Sequence, residues 1–192
     1  KDSGNKTRGH RFHHSENIAI NSPADYPVTL EKDGMVLADM DLRRESIRTQ
    51  VIEAGKDCGG SAVIDEDLLN EVTALVEWPV AISGSYDPHF LEVPAEALVS
   101  SMQDHQKYFP VIDEHGKLLP HFITVANIAS KDPQQIKAGN ERVIRARLED
   151  AVFFWNQDRK QTLHSRAAQL DGMTFQKRLG SLGDKQTRIA AI

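Results

Sequence analysis

Cysteine is almost absent from this sequence, and long apolar runs are missing altogether. One cysteine, Cys58, occurs in 192 residues, which excludes an internal disulfide framework and is typical of proteins of a reducing cytosol. No apolar run approaches the roughly 18 to 20 residues that cross a bilayer, and the polar residues 1–6 lack the apolar core of a secretory signal peptide. We therefore expect a cytoplasmic protein that does not bind a membrane.

The motifs of several common enzyme classes are also missing. The glycine-containing segment 180–185 does not have the spacing of a phosphate-binding loop, and no predicted strand precedes it. Ser100 and Ser101 have no flanking glycines of the kind that expose a serine nucleophile. Asp104 and His105 are adjacent, and adjacent side chains do not generally face each other, so they do not predict an acid–base pair. We therefore predict no catalytic residue.

Three histidines, His10, His13 and His14, lie close together near the start of the chain. A protein metal site needs a defined set of ligands, such as two histidines one helical turn apart with a catalytic glutamate. Glu16 is nearby, but nothing else completes such a set. We therefore interpret these histidines as surface or hydrogen-bonding residues and predict no metal site.

Charge is distributed unevenly along the chain. The net charge is -5, which argues against a protein that binds nucleic acid through an overall positive charge. Residues 131–192 nevertheless contain 12 Lys and Arg against 7 Asp and Glu, whereas residues 1–130 contain 11 against 21. An acidic body with a basic end is compatible with phosphate contact at a restricted surface, and equally with ordinary solvated helices.

Apolar residues at helical spacing predict several helices. One runs from Asp39 to about Asp57, and Cys58-Gly59-Gly60 ends it. The next has an apolar face and an acidic first turn formed by residues 65–67; the face consists of Ile64, Leu68, Leu69, Val72, Leu75 and Val76. From Pro133 onward the pattern is helical again, with further helices expected at 161–170 and 175–192 and breaks near residues 171–172 and 180–183.

Two apolar segments, Tyr108–Ile112 and Leu118–Ile128, flank a glycine-containing loop and predict a β-hairpin. Pro110 should lie at a strand end or edge, because proline cannot donate to a β-ladder. The mixed order of strands and helices predicts an α+β fold, with a mixed or antiparallel sheet, packed helices and a helical C-terminal extension. We assign residues 1–130 to the α+β domain and residues 131–192 to the helical segment.

The basic helix after Pro133 allows two interpretations. Arg142 and Arg145, with Arg147, could meet a phosphate backbone. They could instead pair within the helix, Arg145 with glutamates 141 and 149 and Arg147 with aspartate 150. The aromatic residues 153–155 extend the apolar stripe of this helix, so the sequence predicts no platform of exposed aromatics for single-stranded RNA.

Several ordered strings resemble the β subunit of bacterial heterotetrameric (α2β2) glycyl-tRNA synthetases. The resemblance begins near residue 7 and extends to the end of the chain. It is carried by the strings at residues 8–12 (RGHRF), 75–80 (LVEWPV), 90–99 (FLEVPAEALV), 106–111 (QKYFPV), 117–120 (KLLP), 125–128 (VANI), 130–133 (SKDP), 139–143 (GNERV) and 147–151 (RLEDA).

The resemblance implies a segment from the N-terminal half of a longer subunit, whose partners are the α subunit and glycine tRNA and not DNA. In such enzymes the α subunit binds glycine and ATP and forms the adenylate, so ATP and Mg²⁺ are expected there and no cofactor is expected on this chain. The β subunit is required for aminoacylation and recognises tRNA. The family therefore implies a non-catalytic part of a glycine–tRNA ligase.

Two other functions remain open at this stage. The first is a scaffold that contacts only the α subunit. The second is a hydrolytic editing domain, because this region is similar to a domain in the β subunit of phenylalanyl-tRNA synthetase that hydrolyses mischarged tRNA. No residue matches a catalytic role in the family. The candidate contacts with tRNA or a partner subunit are therefore hypotheses that rest on charge and position: Arg8, His10, Arg11, Gln106, Lys107, Arg142 and Arg145.

Overall fold

A computed structural model of the protein describes residues 4–192, so residues 1–3 of the polar start lie outside the described residues. Helices pack against antiparallel strands, which confirms the predicted α+β class. Contacts between Cα atoms divide the chain into two compact units, of which the first ends at Ala151 and the second comprises Val152–Ile192. This division falls inside a long helix; the assignment of residues 1–130 and 131–192 to separate functional domains stays a prediction.

The described residues form seven helices and eight strands. The helices are α1 (Tyr26–Lys32), α2 (Met40–Asp57), α3 (Glu66–Leu75), α4 (Ala95–Ser100), α5 (Pro133–Asp158), α6 (Leu163–Arg166) and α7 (Leu182–Ala190). The strands are β1 (Lys6–Arg8), β2 (Asn17–Ala19), β3 (Ser61–Ala62), β4 (Val80–Ser85), β5 (Phe109–Ile112), β6 (Leu118–Ala126), β7 (Thr174–Gln176) and β8 (Gly180–Ser181). A π-helical turn, Ser101–His105, extends α4.

The main sheet has four antiparallel strands in the order β3-β5-β6-β4. β5 and β6 form the predicted hairpin, with Phe109 opposite Ile123. β4 pairs with β6 from Val80 to Ser85. Pro110 was expected at a strand end or edge, but it lies within β5, which is an inner strand of the sheet. The register shifts between Pro110 and Ile112, and such an irregularity tolerates a residue without an N–H.

The core of the first unit lies between this sheet and helices α2 and α3. Its fully buried side chains come from both layers: Ile47, Val51, Leu69, Phe109, Val111 and Ile123. Burial of each such side chain contributes roughly 1.5 to 3 kcal/mol to stability. The core therefore fixes the ends of β4 and β6, which carry the contacts described below.

Acidic side chains begin both core helices. The carboxylate of Asp39 accepts the N–H groups of Asp41 and Leu42 at 2.9 and 3.0 Å, and that of Asp65 accepts the N–H of Leu68 at 2.9 Å. These caps satisfy N–H groups that have no partner within the helix. Both predicted helices are confirmed, but Leu75 was wrongly placed on the apolar face: it is 63% exposed at the end of α3.

The second unit contains α6, the hairpin of β7 and β8, and α7. Ser181 and Asp184 form a reciprocal capping box at the start of α7. The sequence predicted helix from Phe175 onward, but residues 174–176 form a strand, and Gly180 has φ +82°. A positive φ is accessible to glycine at little cost, and it turns the chain between β8 and its partner strand.

Candidate nucleic-acid interface

The two N-terminal arginines of the candidate set are exposed. Arg8 ends β1, which pairs with β2 through Thr7 opposite Ile18, and Ile18 is buried. Arg11 lies in the following turn, where its guanidinium carbon is 5.2 Å from the centre of the exposed Phe12 ring. Both guanidinium groups therefore project from a short hairpin that is anchored by one buried side chain.

His10 lies between these arginines in the sequence, yet it is completely buried. Its Nε2 is 2.9 Å from the carbonyl oxygen of Asn127, and its Nδ1 is 3.3 Å from the backbone nitrogen of Phe12. Its own N–H donates to the carbonyl of Gly34 at 2.7 Å. The ring has no exposed surface. This burial argues against the hypothesis that His10 contacts tRNA or a partner subunit.

Asn127, directly after β6, joins three segments of the first unit. Its side-chain oxygen accepts the N–H groups of Glu77 and Trp78 at 2.8 and 2.9 Å and lies 3.3 Å from Nε2 of His10. We call these four residues, Asn127, Glu77, Trp78 and His10, the Asn127 hub. The hub holds the N-terminal turn and the turn before β4 against the end of the central strand.

Gln106 and Lys107 lie at the corner between the π-helical turn and β5, as predicted. Lys107 has φ +60°, and its ammonium nitrogen is 2.8 Å from a carboxylate oxygen of Glu71. The following residue, Tyr108, is buried and donates its hydroxyl to the side-chain oxygen of Asn140 at 2.6 Å; burial raises the pKa of this hydroxyl. Lys107 is thus an engaged cation, and Gln106 is half-buried beside it.

Arg142 and Arg145 are exposed on α5, and the ion pairs predicted for this helix are not formed. Oε1 of Glu141 accepts the N–H and the hydroxyl of Ser85 at 2.9 and 3.1 Å, because α5 reaches the end of β4 at this point. Among the described residues, neither Arg142, Arg145 nor Arg147 has a carboxylate within 4.0 Å. Three guanidinium groups are therefore free for an external partner.

The electrostatic environment of Arg145 includes one nearby acid. The backbone N–H of His89, and next its ring, lower the pKa of Asp87, and Arg145 makes a smaller contribution from a longer distance. Asp87 accepts the N–H of His89 at 3.0 Å, and within residues 4–192 it forms no ion pair with Arg145 within 4.0 Å.

The aromatic residues at the end of α5 were wrongly assigned to an apolar stripe. Ile144 and Leu148 are buried, but Phe153, Phe154 and Trp155 are between 37% and 62% exposed. In the second unit the guanidinium of Arg159 lies 5.7 Å from the centre of the Trp155 ring. The prediction that no platform of exposed aromatics exists rested on a core position for these rings, and that basis does not hold for this unit.

Comparisons with known proteins identify the family. The family model described as "Glycyl-tRNA synthetase beta subunit" matches residues 1–192. The chain belongs to this family. It is similar to the "Glycine--tRNA ligase beta subunit" of Marinobacter nauticus, with 57% identity over 190 residues that cover 98% of this chain and 27% of that relative. The corresponding proteins of Hahella chejuensis and Chromohalobacter salexigens are 53% and 55% identical, over 99% and 100% of this chain. The chain spans about 28% of the length of these two.

Asp104 and His105, the adjacent acid and histidine considered above, do not form an acid–base pair. His105 is exposed, and Asp104 instead accepts the hydroxyl of Ser100 at 2.7 Å. Asp104 lines an open cleft of about 300 Å³ with Glu71 and Lys107, but these two residues pair with each other. Residues 4–192 contain no group of three or more metal-ligating side chains and no helix that is long and apolar enough to span a membrane.

Sequence reasoning missed the role of Asn127 in this member of the family. The available signal was a polar amide directly after a strand rich in β-formers, within the string at 125–128 that carries the resemblance. An amide oxygen in that position often accepts backbone N–H groups. The identity of the donors, Glu77 and Trp78, could not be read from the sequence because they lie about 50 residues away.

Proposed function

We propose that this chain is a non-catalytic part of a glycine–tRNA ligase and that its exposed arginines contact glycine tRNA. Family membership supports the ligase assignment. The observation that carries the RNA contact is the set of free guanidinium groups of Arg142, Arg145 and Arg147 on α5, described above. Guanidinium groups without an internal partner suit phosphate, which they bind through paired N–H donors.

The other partners follow from the same proposal. The α subunit of the enzyme would bind glycine and ATP with Mg²⁺ and carry out activation in the cytoplasm, whereas this chain would help to place the tRNA. The family supports this division of roles, and so do the side chains near His105. Asp104 accepts the hydroxyl of Ser100 and does not pair with His105, and Lys107 pairs with Glu71. The residues of this corner therefore serve local structure.

A contact with phosphates predicts a characteristic salt dependence. Each neutralised phosphate contributes roughly 0.7 to 0.9 to the slope of the logarithm of the binding constant against the logarithm of salt concentration. Removing two contacts should therefore lower the slope by about 1.5. Contacts that only support folding would change the stability of the chain without this effect on the slope.

The experiment compares two double substitutions in the assembled two-subunit enzyme. Arg142→Gln with Arg145→Gln removes two free guanidinium groups. Arg44→Gln with Arg48→Gln is the matched control, because it removes the same charge from side chains that are already paired with Glu66. We expect weaker tRNA binding and a smaller salt slope only in the first variant, with glycine-dependent ATP–pyrophosphate exchange unchanged in both. Equal slopes in the two variants would refute the α5 contact.

The scaffold function is favoured by one observation of its own. Exposed apolar side chains lie on α1 and α2, where Val28 and Leu42 are 64% and 63% exposed, and exposed apolar surface is a common property of protein interfaces. Val28→Ser with Leu42→Ser tests this function in the same enzyme. Loss of α-subunit binding in this variant, together with tRNA affinity that is unaffected by the α5 substitutions, would establish the scaffold and exclude the RNA contact.

A further inference from the structure

Two imidazole rings bind the backbone that follows β6. Nε2 of His10 is 2.9 Å from the carbonyl oxygen of Asn127, and the N–H of Ala129 donates to Nε2 of His13 at 3.1 Å. A neighbouring strand would offer the same pair of groups, a donor for one carbonyl and an acceptor for the N–H two residues later. The two side chains thus continue the pairing of β6 beyond its last residue.

The short turn that carries the rings fixes their spacing. The carbonyl oxygen of His10 accepts the N–H groups of His13 and His14 at 3.1 and 2.8 Å, and the ring centres of His10 and His13 are 4.8 Å apart. On the other side, an added Cβ at Gly9 would lie 2.7 Å from Cα of Gly34. No side chain fits between these two backbones, so the turn is clamped between the segment that follows α1 and the end of β6.

We propose that His10 and His13 form a latch, closed only while both imidazoles are neutral, that positions Arg8 and Arg11 for their partner. The latch follows from the hydrogen bonds alone; its effect on RNA binding rests on the function proposed above. Arg8 and Arg11 flank Gly9 and His10 in the chain, so the direction of both guanidinium groups depends on the clamped turn.

The hydrogen bonds assign opposite tautomers to the two rings. Nδ1 of His10 accepts the N–H of Phe12, so its proton lies on Nε2 and is donated to Asn127. Nε2 of His13 accepts the N–H of Ala129, so its proton lies on Nδ1. A neutral imidazole has one donor and one acceptor nitrogen, whereas the cation has two donors. Protonation of either ring therefore turns an acceptor into a donor that faces another N–H.

The surroundings offer little to offset such a charge. Within residues 4–192, neither ring has a carboxylate within 4.0 Å. The segments that hydrogen-bond to the latch or to Asn127 carry both cations and acids next to the bonded residues: Arg11 and His14 in the turn, Asp33 before Gly34, Glu77 before Trp78, and Lys131 two residues after Ala129. Two protonated rings 4.8 Å apart would also repel each other. Protonation is therefore expected to open the latch.

The test is nuclear magnetic resonance of the chain at about pH 8 and at about pH 5. Imidazole nitrogen shifts at the higher pH should show the Nε2–H tautomer for His10 and the Nδ1–H tautomer for His13. Hydrogen-exchange protection of the amides of Phe12 and Ala129, corrected for the intrinsic rate at each pH, should fall about tenfold at the lower pH. The same tautomer on both rings, or protection that does not change with pH, would overturn the proposal.

Two variants separate the latch from a general effect of acid. In His10→Gln with His13→Gln neither side chain titrates, and the amide oxygen at position 13 can still accept the N–H of Ala129, so Ala129 should keep its protection at the lower pH. His105→Gln removes an exposed histidine elsewhere and should behave as the unsubstituted chain does. Loss of Ala129 protection in this double variant would overturn the latch, because the loss would then have a cause other than the two imidazoles.

Binding of glycine tRNA tests the positioning role separately. The unsubstituted chain should lose about fivefold in affinity relative to His10→Gln with His13→Gln as the pH falls, the equivalent of one charged hydrogen bond. Equal affinities of the two chains at both pH values would overturn the positioning of Arg8 and Arg11. If Arg8→Gln with Arg11→Gln leaves tRNA affinity unchanged while the exchange results hold, the RNA contact of these residues fails and the latch stands.

Discussion

Removal of the Asn127 side chain should destabilise the first unit substantially. In Asn127→Ala the N–H groups of Glu77 and Trp78 lose an acceptor at 2.8 and 2.9 Å. The N–H of Glu77 is exposed and finds water, but that of Trp78 is partly buried. A lost hydrogen bond costs about 1 kcal/mol, and an unsatisfied buried donor adds about 1 to 3 kcal/mol. We expect the free energy of unfolding to fall by about 2 to 4 kcal/mol.

Asn127→Asp is the matched control for this prediction. The amide nitrogen of Asn127 donates no hydrogen bond within residues 4–192, and a carboxylate keeps the oxygen that accepts both N–H groups. We expect a loss below about 1 kcal/mol. Urea unfolding followed by Trp78 fluorescence measures both variants, in a Trp155→Phe background that removes the other tryptophan of the chain. Equal losses in the two variants, or none in Asn127→Ala, would refute the role of the side-chain oxygen.

Three further predictions concern packing, helix propensity and pH. Gly84→Ala places a methyl group into the ring of the fully buried Phe122 and should lower the free energy of unfolding by about 2 kcal/mol. In Gly139→Ala on α5 the added methyl group meets nothing within 4 Å, so the free energy of unfolding should rise by about 0.5 to 1 kcal/mol. Urea midpoints of the Gly84 and Gly139 variants that shift equally would contradict both predictions. The hydrogen bond from Arg48 lowers the pKa of Glu66, so this pair stabilises the chain above the unfolded-state pKa and ceases to do so as the pH falls through the lowered value. Glu66→Gln should therefore be less stable than the unsubstituted chain at neutral pH and equally stable in acid, and a difference that is constant with pH would contradict the pair.

The elements that the sequence predicted correctly depend on neighbouring residues. The start of α3 could be predicted from Asp65, whose side chain accepts the N–H of Leu68 three residues later in the chain. The β5–β6 hairpin could be predicted from the two apolar segments on either side of Gly116, whose φ is +76°. Such signals act within one or two turns of the chain, so tertiary packing reinforces them rather than replaces them. The class and most element positions could therefore be predicted, although the ends of the helices moved by a few residues.

The contacts of the candidate residues could not be predicted in the same way. Glu141 has the correct spacing for an ion pair with Arg145, yet it accepts from Ser85, which is 56 residues away. His10 has a basic and polar sequence context, yet it is buried by a contact with Asn127, which is 117 residues away. In both cases a long-range partner decides the geometry, and no periodicity of the local sequence encodes its position.

The strings that carry the family resemblance supply the contacts that hold the first unit together. His10, Trp78 and Asn127 belong to three different strings and meet in one hub, and Tyr108 and Asn140 belong to two more and share a hydrogen bond. A resemblance carried by such residues identifies the fold and the family, but it does not reveal which side chains touch a ligand. Contact residues should instead be exposed and free of internal partners. Substitutions in the hub should therefore change stability, and those of the free arginines on α5 should change affinity without changing the urea midpoint.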